Sequence, residues 1–482
     1  KTRDNPDYGV PFVPRTSGVS PNNRAIGGGY SSSTFWGADG NFDISDTNMT
    51  TLINELKIDP NSQLRTQLRF ADYERTYWAR TPSATTAPNA GAYVPNTNNP
   101  NNGGPTRYAK YETITLQSDY STKFNLAGMK HEALAGVEYL NENNARTTLA
   151  NVGGTSASNP PAFSPYVESN AVPSVFHSSS YAVYAQDSVE FVPNWKATLG
   201  VRRDELNMQI GGSSSTKLNF GENSYRGALS FHPTDDTHYY LGWSDSFSPT
   251  GDLYQLSAAP QPPERSNVVE LGAKWMLLDG DLALRTAVYQ ATKNWERNTD
   301  LDASSTSAIL TKKRRTRGIE LEVAGRVNED WEVFAGWALM DAKILQSAEN
   351  INSSGVVTVA PLIYEGQRAR NTPKYTFNLW STYRINGFWK IGGGVEVKGD
   401  RQGFSPTGTA PVDVNGNYYP NTIGAYARWD AMVEYEPTNK LLFRVNVKNL
   451  ADKVYYDSLY DNGGFTIPGP RRTVILSGEY KF

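Results

Sequence analysis

The chain has 482 residues, with 46 Lys and Arg against 49 Asp and Glu, 4 His and no Cys. Nucleic-acid sites need clustered positive charge, so this balance gives no reason to expect nucleic acid as a partner, and the lack of Cys excludes disulfides and thiolate metal sites. Hydrophobic residues make up 38%, and no stretch approaches the roughly 20 apolar residues of a membrane helix.

Alternation of apolar and polar residues with a period of two is the main structural signal along the chain. It is clearest in the segments 64–70, 269–277, 319–323, 425–435 and 443–448. Runs of this kind last roughly 12–18 residues, longer than the strands of a soluble sandwich and long enough to cross a bilayer. The pattern predicts an all-β fold, a transmembrane antiparallel β-barrel whose walls project beyond the membrane.

The connections between these runs are of two kinds. Tight turns are predicted at 59–62, 193–194, 234–237, 279–281, 328–330 and 386–387, each with Pro, Asn, Asp or Gly. Long connections rich in Asn, Gly, Ser, Thr and Pro are predicted at about 81–106, 150–177, 249–263, 346–366 and 405–421. Short turns at one end and long loops at the other are typical of outer-membrane barrels, in which the long loops lie outside the cell.

The runs amount to about 17 strands, whereas barrels with a plugged lumen have 22 strands. The opening segment 1–46 looks like a loop, and the first strand runs from it towards a tight turn. We therefore expect the chain to begin inside an extracellular loop, with a plug domain and about five strands preceding Lys1. Residues 1–482 would then be the C-terminal portion of a barrel, without its plug.

Several segments, in this order, resemble TonB-dependent siderophore receptors over nearly the whole chain. They are Tyr181–Asp187, Gly200–Asp204, Tyr240–Pro249, Glu264–Lys274, Arg317–Glu322, Asn446–Tyr456 and Pro468–Arg472. The last residues alternate outward and end on Tyr480 and Phe482, which is similar to the assembly signal of outer-membrane barrels. The segment Asp4–Pro11 resembles a loop of receptors for catecholate-type siderophores.

The resemblance implies import of a ferric siderophore, possibly a catecholate, across a bacterial outer membrane. The implied partners are the siderophore, the TonB–ExbB–ExbD complex acting through a plug, membrane lipid and lipopolysaccharide, and the barrel-assembly machinery. The ferric siderophore is cargo, and no resident cofactor or metal is expected. The alternatives are a receptor for cobalamin, haem or a glycan, and a passive porin. Haem is disfavoured because His177 is the only loop histidine.

Ferric siderophores are large, often anionic and partly aromatic, so a receptor needs cationic donors and flat aromatic surfaces near its mouth. The candidates in or beside predicted extracellular segments are Trp36, Tyr77, Trp78, Arg80, Tyr93 and Arg146. The alternative interpretation places Tyr77 and Trp78 in the outer aromatic girdle and Arg146 in a lumen network.

Two further charged sets have structural interpretations. Glu270, Lys274, Glu320 and Glu322 could suggest acid–base chemistry, but we expect them to line the lumen. The cluster Lys312–Arg315 could suggest nucleic acid, but binding to lipopolysaccharide phosphates or to lumen charges is favoured. No catalytic constellation is predicted, and the chain is not expected to be an enzyme.

Overall fold

The computed structural model describes most of the chain. The described residues are 1–6, 9–14, 24–26, 42–78, 106–147, 149–151, 166–168, 173–211, 216–248, 262–297, 309–351, 356–403, 412, 415–460 and 464–482. Within them the only helix is a 3₁₀ turn, Leu362–Tyr364. No helix in this part of the chain is long and apolar enough to cross a membrane.

All other regular elements are strands. In chain order, the first fourteen are β1 (Thr2–Asp4), β2 (Val10–Pro14), β3 (Arg24–Ile26), β4 (Phe42–Asp59), β5 (Ser62–Trp78), β6 (Thr106–Leu126), β7 (Met129–Thr147), β8 (Leu149–Asn151), β9 (Tyr166–Glu168), β10 (Ser174–Val192), β11 (Trp195–Gly211), β12 (Thr216–Thr234), β13 (Thr237–Ser248) and β14 (Glu264–Leu277). They are followed by β15 (Leu282–Arg297), β16 (Ile309–Asn328), β17 (Trp331–Ser347), β18 (Glu349–Ile351), β19 (Val357–Val359), β20 (Tyr375–Arg384), β21 (Trp389–Lys398), β22 (Arg401–Gln402), β23 (Thr422–Ile423), β24 (Tyr426–Thr438), β25 (Leu441–Lys448), β26 (Tyr456–Leu459), β27 (Phe465–Pro468) and β28 (Thr473–Tyr480).

One antiparallel sheet contains the long strands. Of its 18 strands, β1 has three residues and the other 17 have 8–21, which confirms the predicted strand number. From β4 to β28 each long strand pairs with the next long strand along the chain. Meander topology of this kind is that of an up-and-down barrel wall. Closure at 22 strands stays a prediction.

The two ends of the sheet differ as predicted. At one end, connections of two to four residues join consecutive strands, as between β4 and β5, β10 and β11, or β24 and β25. At the other end most connections are long, including 399–425 and 449–472, whereas β11 and β12 are joined by only four residues, 212–215. The connection 449–472 was not predicted as a long loop. Its ends, Lys448 and Thr473, pair with each other across β25 and β28.

Two predictions about the loops are wrong. The opening segment is not loop-like as far as residue 46, because β4 begins at Phe42, where β5 extends far enough to pair with it. His177 is not a loop residue, because β10 begins at Ser174 and pairs His177 with Asn143 of β7. The His177 ring nitrogen Nδ1 lies 2.6 Å from the Asn143 side-chain oxygen. Composition predicts a loop for both segments. It does not show where a neighbouring strand is available for hydrogen-bonded pairing.

The two faces of the sheet differ in chemistry. The outer face exposes apolar side chains at alternate positions, such as Leu199 (71% exposed), Leu271 (59%) and Leu476 (76%). The opposite face, which we call the lumen face, carries the ion pairs between strands, for example Arg202 with Glu138 of β7. An apolar exterior and a charged interior are the arrangement of a barrel in a membrane.

A tyrosine–glycine pair recurs on the lumen face. Tyr240 lies directly opposite Gly272, and its ring occupies the space that a Cβ at Gly272 would take, with ring atoms 2.4 Å from that position. Its hydroxyl donates to Glu270 Oε1 at 2.5 Å. The same arrangement is found for two other pairs, Tyr184 with Gly136 and Tyr289 with Gly318. Each ring lies flat along the wall, which fixes the tyrosine hydroxyl close to the sheet.

Four small sheets lie among the long connections: β2–β3 with β26–β27, and the pairs β8–β9, β18–β19 and β22–β23. Two apolar clusters pack parts of these connections. One contains Phe12 of β2, Ile423 of β23 and Leu459 of β26, and another joins Leu310 of β16 and Ile344 of β17 to Tyr364 of the 3₁₀ turn. Parts of the long connections are therefore packed around small apolar cores.

Candidate ligand-binding face

The structure brings two of the predicted site residues together at the long-connection end of the lumen face. Tyr77 of β5 lies directly opposite Arg107 of β6, and Ala109, two residues further along β6, lies opposite Arg146 of β7. Directly opposite residues, and residues two apart, point to the same side of a sheet. Tyr77, Arg107 and Arg146 therefore share one face. Arg75 of β5 lies opposite Ala109 of β6, so it shares this face too.

These four residues, Arg75, Tyr77, Arg107 and Arg146, form what we call the cationic patch. Arg75 is fixed by two hydrogen bonds to Asp43 of β4, with N···O distances of 2.9 and 2.6 Å. Its guanidinium carbon lies 4.7 Å from the centre of the Tyr77 ring, a cation–π distance. The patch thus brings three guanidinium groups and the Asp43 carboxylate to one face of the sheet.

The other predicted site residues lie elsewhere. Trp78 is the next residue after Tyr77, so it lies on the opposite face of β5 and cannot contact the same ligand through that face. Both rings are only 2% exposed, which argues against the lipid-facing girdle proposed as their alternative. Trp36, Arg80 and Tyr93 lie outside the described residues.

Beside the cationic patch the lumen face forms a cavity of about 890 Å³. Residues that line it include Tyr111, Glu142, Phe176 and Ser178. Tyr111 and Phe176 lie opposite Asn144, which is two residues from Arg146 on β7. The cavity therefore begins two residues along the strands from the patch, on the side away from the long connections. It combines aromatic side chains with hydroxyl and carboxylate groups. Glu142 accepts hydrogen bonds from Tyr111 (3.2 Å) and Ser178 (2.8 Å).

A second polar cluster lies on the lumen face at β24, around Tyr426, which alternates with Arg428 and Asp430 on that strand. The single Tyr426 hydroxyl proton is shared between two carboxylate acceptors, Glu396 of β21 and, at 2.9 Å, Asp457 in the connection 449–472. Lys398 reaches the same Asp457 carboxylate at 3.1 Å. The cluster thus ties a loop segment to two strands of the wall. It holds the loop in place and leaves these groups satisfied.

Arg401 strengthens this link from the neighbouring connection 399–425. It is 2% exposed and donates to the backbone carbonyls of Tyr456 (2.9 Å) and Asp457. Burial lowers its pKa, because a charged guanidinium loses hydration there. A second ion pair in the same region joins Arg368 to Asp400 at 2.6 Å, and that hydrogen bond lowers the pKa of Asp400. The long connections are therefore coupled to each other and to the wall.

The carboxylates considered for acid–base chemistry do lie on the lumen face, and ion pairs and hydrogen bonds engage them. Glu322 accepts from Arg285 at 2.9 Å, and Glu270 accepts from Tyr240. Glu320 and Lys274 line the same cavity of about 700 Å³. Their arrangement indicates a charged wall.

At the C-terminus the strand register places Val474, Leu476 and Tyr480 of β28 on one face, with Leu476 opposite the outward-facing Val445, although all eight residues of this strand are exposed. The Tyr480 and Phe482 rings lie edge to face with centroids 5.3 Å apart. Their role as an assembly signal stays a prediction.

Sequence reasoning missed Arg75 and Arg107 as members of the cationic patch. The signal available for Arg75 was its spacing of two from Tyr77, which places both on one face of a strand. Arg107 could not be found in this way. Its position opposite Tyr77 depends on how β5 and β6 pair across a connection of 27 residues, 79–105.

The chain is similar to known proteins over most of its length. The family described as "TonB dependent receptor-like, beta-barrel" matches residues 1–450. The chain is 26% identical over 333 residues to the probable TonB-dependent receptor BfrD of Bordetella pertussis, covering 66% of this chain and 42% of that protein. It is 25% identical to the probable TonB-dependent siderophore receptor PiuA of Acinetobacter baumannii, covering 77% and 53%. It is 23% identical to the catecholate siderophore receptor Fiu of Escherichia coli, covering 99% and 66%.

Solved structures show the same fold. The crystal structure of PiuA superposes with a TM-score of 0.78 at 21% identity, covering 100% of this chain and 70% of that one. The closed form of Fiu superposes with a TM-score of 0.77, also at 21% identity, covering 100% and 71%. The chain spans 42–66% of the length of these three curated relatives. By its sequence match over residues 1–450 and its antiparallel sheet, the chain belongs to the β-barrel family of TonB-dependent receptors.

Proposed function

We propose that this chain is the barrel part of a bacterial outer-membrane receptor that imports a ferric siderophore of the catecholate type. TonB, with ExbB and ExbD, would supply the energy through a plug domain. The tight turns would face the periplasm and the long connections the exterior, where the chelate is captured. Barrel-assembly machinery would insert the chain through its terminal residues Tyr480 and Phe482. This is the function of a receptor and transporter rather than of an enzyme.

One observation supports the proposed class of ligand. Tyr77, Arg107 and Arg146 share the lumen face at the end of the sheet that we assign to the exterior. A ferric catecholate is an anion built from aromatic rings. Guanidinium groups form strong charge-assisted hydrogen bonds to anionic oxygens, and the Tyr77 ring packs against the Arg75 guanidinium. Two relatives, the probable siderophore receptor PiuA and the catecholate siderophore receptor Fiu, favour the same class of ligand.

The test is a binding titration of the full-length receptor that contains this chain. Quenching of Trp fluorescence by a ferric catecholate reports the dissociation constant. Loss of one charge-assisted contact weakens binding by roughly tenfold or more, so Arg146→Gln and Arg107→Gln should each raise the dissociation constant by about that factor.

The matched control is Arg203→Gln, because Arg203 lies on β11, on the opposite side of the wall from Arg202, and is paired with Glu205. This variant should bind like wild type. Equal dissociation constants for wild type, Arg146→Gln and Arg107→Gln would show that the cationic patch does not bind the chelate. An absence of quenching across a panel of ferric siderophores would refute the ligand class.

A further inference from the structure

Glu142 is a carboxylate with neutral partners in the cavity next to the cationic patch. Its two oxygens accept hydrogen bonds from the hydroxyl groups of Tyr111 (3.2 Å) and Ser178 (2.8 Å), and within the described ranges no lysine or arginine forms an ion pair with it. The neighbouring lumen carboxylate Glu138, in contrast, pairs with Arg202 at 3.1 Å. A partly buried charge is most stable beside an opposite charge. Glu142 is therefore a negative charge that the described part of the chain leaves unbalanced.

Buried apolar side chains lie beside Glu142. Ser178, its hydrogen-bond partner, lies directly opposite Met208 of β11. Met208 packs with Phe176 and Ile210 in a cluster whose three members are at most 5% exposed. Attraction between opposite charges is stronger where protein atoms replace water. Glu142 should therefore attract a cation more strongly than a carboxylate on an open surface does.

Asn144 adds a second acceptor to the same row of side chains. It is two residues from Glu142 on β7, towards the cationic patch, so both residues face the lumen. Asn144 is 4% exposed, and its side-chain oxygen Oδ1 has no hydrogen-bond donor among the described residues. Asn144 lies directly between Tyr111 of β6 and Phe176 of β10, which both line the cavity. A buried acceptor without a donor costs free energy, and a donor on a ligand would remove that cost.

The cavity is lined by more negative than positive side chains. They are four carboxylates and two guanidinium groups: Glu138, Glu142, Asp204, Asp245, Arg202 and Arg226. An anionic chelate alone finds no complementary charge on such a lining. An ammonium group does, because it carries three N–H donors, and the faces of aromatic rings such as Tyr111 and Phe176 also attract cations.

The spacing along β7 sets the length of a ligand that could use both the patch and the cavity. Glu142 and Arg146 are four residues apart on one face of this strand, which corresponds to roughly 13–14 Å. A catechol joined through an amide to the backbone of lysine holds its ring and its terminal ammonium group about this far apart. A molecule of this kind presents anionic oxygens to one site and a cation to the other.

We propose that the preferred substrate is a ferric catecholate whose backbone carries a primary amine, and that Glu142 binds the ammonium group. The inference rests on the proposed function, because the iron-bound catecholate oxygens would contact Arg107 and Arg146 of the cationic patch. The ammonium group would donate to Glu142 and Asn144. Glu142 would then determine which ferric catecholates are bound, while the patch binds what they have in common.

The experiment uses the full-length receptor that contains this chain, purified in detergent. Quenching of Trp fluorescence measures the dissociation constants of three ferric complexes: the catechol amide of lysine, the same compound with its side-chain amine acetylated, and a catecholate without an amine. Acetylation removes the positive charge and leaves the catechol unchanged. Wild type should bind the amine form about tenfold or more tightly than the acetylated form, because a charge-assisted contact is lost.

The variant Glu142→Gln keeps the size of the side chain and removes its charge. It should weaken binding of the amine form by about tenfold and leave binding of the acetylated form nearly unchanged. The matched control is Glu112→Gln. Glu112 follows Tyr111 on β6, so it lies on the outer face, where it pairs with Lys110 at 2.8 Å. This control should bind all three complexes like wild type.

Heat-modifiable migration on a gel shows that each variant is a folded barrel before ligand is added. Equal affinity of wild type for the amine and acetylated forms would overturn the proposal. An equal loss of both forms in Glu142→Gln would overturn it too, since the carboxylate would then support the barrel or a plug rather than bind an ammonium group. Binding of ferric catecholates without a preference for the amine refutes only this inference. Binding of none of the three complexes refutes the proposed function.

Discussion

Replacing Gly272 by alanine should displace the Tyr240 ring from the barrel wall. The new Cβ would lie 2.4 Å from the tyrosine Cζ and Oη atoms, whereas non-bonded carbon atoms prefer about 3.5–4.0 Å. The overlap exceeds 1 Å, so the ring must rotate away. The hydroxyl then loses its 2.5 Å hydrogen bond to Glu270.

The expected loss in the free energy of unfolding follows from the loss of that hydrogen bond. A hydrogen bond to a charged group contributes about 1.5–3 kcal/mol, and the tyrosine side chain can move, so overpacking adds little. Gly272→Ala should therefore lower the free energy of unfolding by about 1.5–3 kcal/mol. The assay is denaturant unfolding of the refolded barrel in detergent, followed by heat-modifiable gel mobility.

Gly242 provides a matched control. It lies opposite Glu270 on the same lumen face, and a Cβ there meets nothing within 4 Å. Gly242→Ala should leave stability nearly unchanged. In a Tyr240→Ala background, Gly272→Ala should also cost nothing, because there is no ring to displace. Equal unfolding midpoints for Gly272→Ala and Gly242→Ala in the otherwise wild-type protein would refute the reasoning.

Three further predictions concern the connection 449–472. Asn449 is 1% exposed with φ of 51°, and its amide donates to two backbone carbonyls at 2.8 and 3.0 Å, so Asn449→Ala should cost roughly 2–4 kcal/mol and speed protease cleavage there. Arg401→Met should leave two carbonyls without their donor and increase hydrogen exchange in the same connection; unchanged exchange would contradict this. The Arg471 hydrogen bond holds the pKa of Asp452 well below its usual range, so this ion pair should protect the connection above about pH 4 and fail only as pH falls through the depressed pKa. Asp452→Asn should remove that pH dependence of cleavage.

The strands were predictable because the alternation of apolar and polar residues is set within each strand's own sequence. An apolar outer face and a charged lumen face impose a period of two, so Trp429 and Val433 could be assigned to one side and Arg428 and Asp430 to the other from sequence alone. The structure confirms the assignment: Trp429 and Val433 are exposed outward, and Arg428 pairs with Asp430 at 3.0 Å.

Features that depend on register were not predictable. Tyr240 and Gly272 are 32 positions apart, and nothing in either segment states that they meet. The same is true of Arg315 and Lys343, which become neighbours only through the pairing of β16 with β17. The structure of the connection 449–472 could not be predicted from composition either, because buried polar residues such as Asn449 resemble ordinary loop residues in a sequence.

The most direct test of the account is uptake of a radioactive ferric catecholate by cells that express the full-length receptor as their only siderophore receptor. The comparison is between a strain with TonB and one without it. The account predicts uptake in the first strain and surface binding without uptake in the second. Uptake that is independent of TonB would indicate a passive pore, and an absence of both binding and uptake would contradict the proposed ligand.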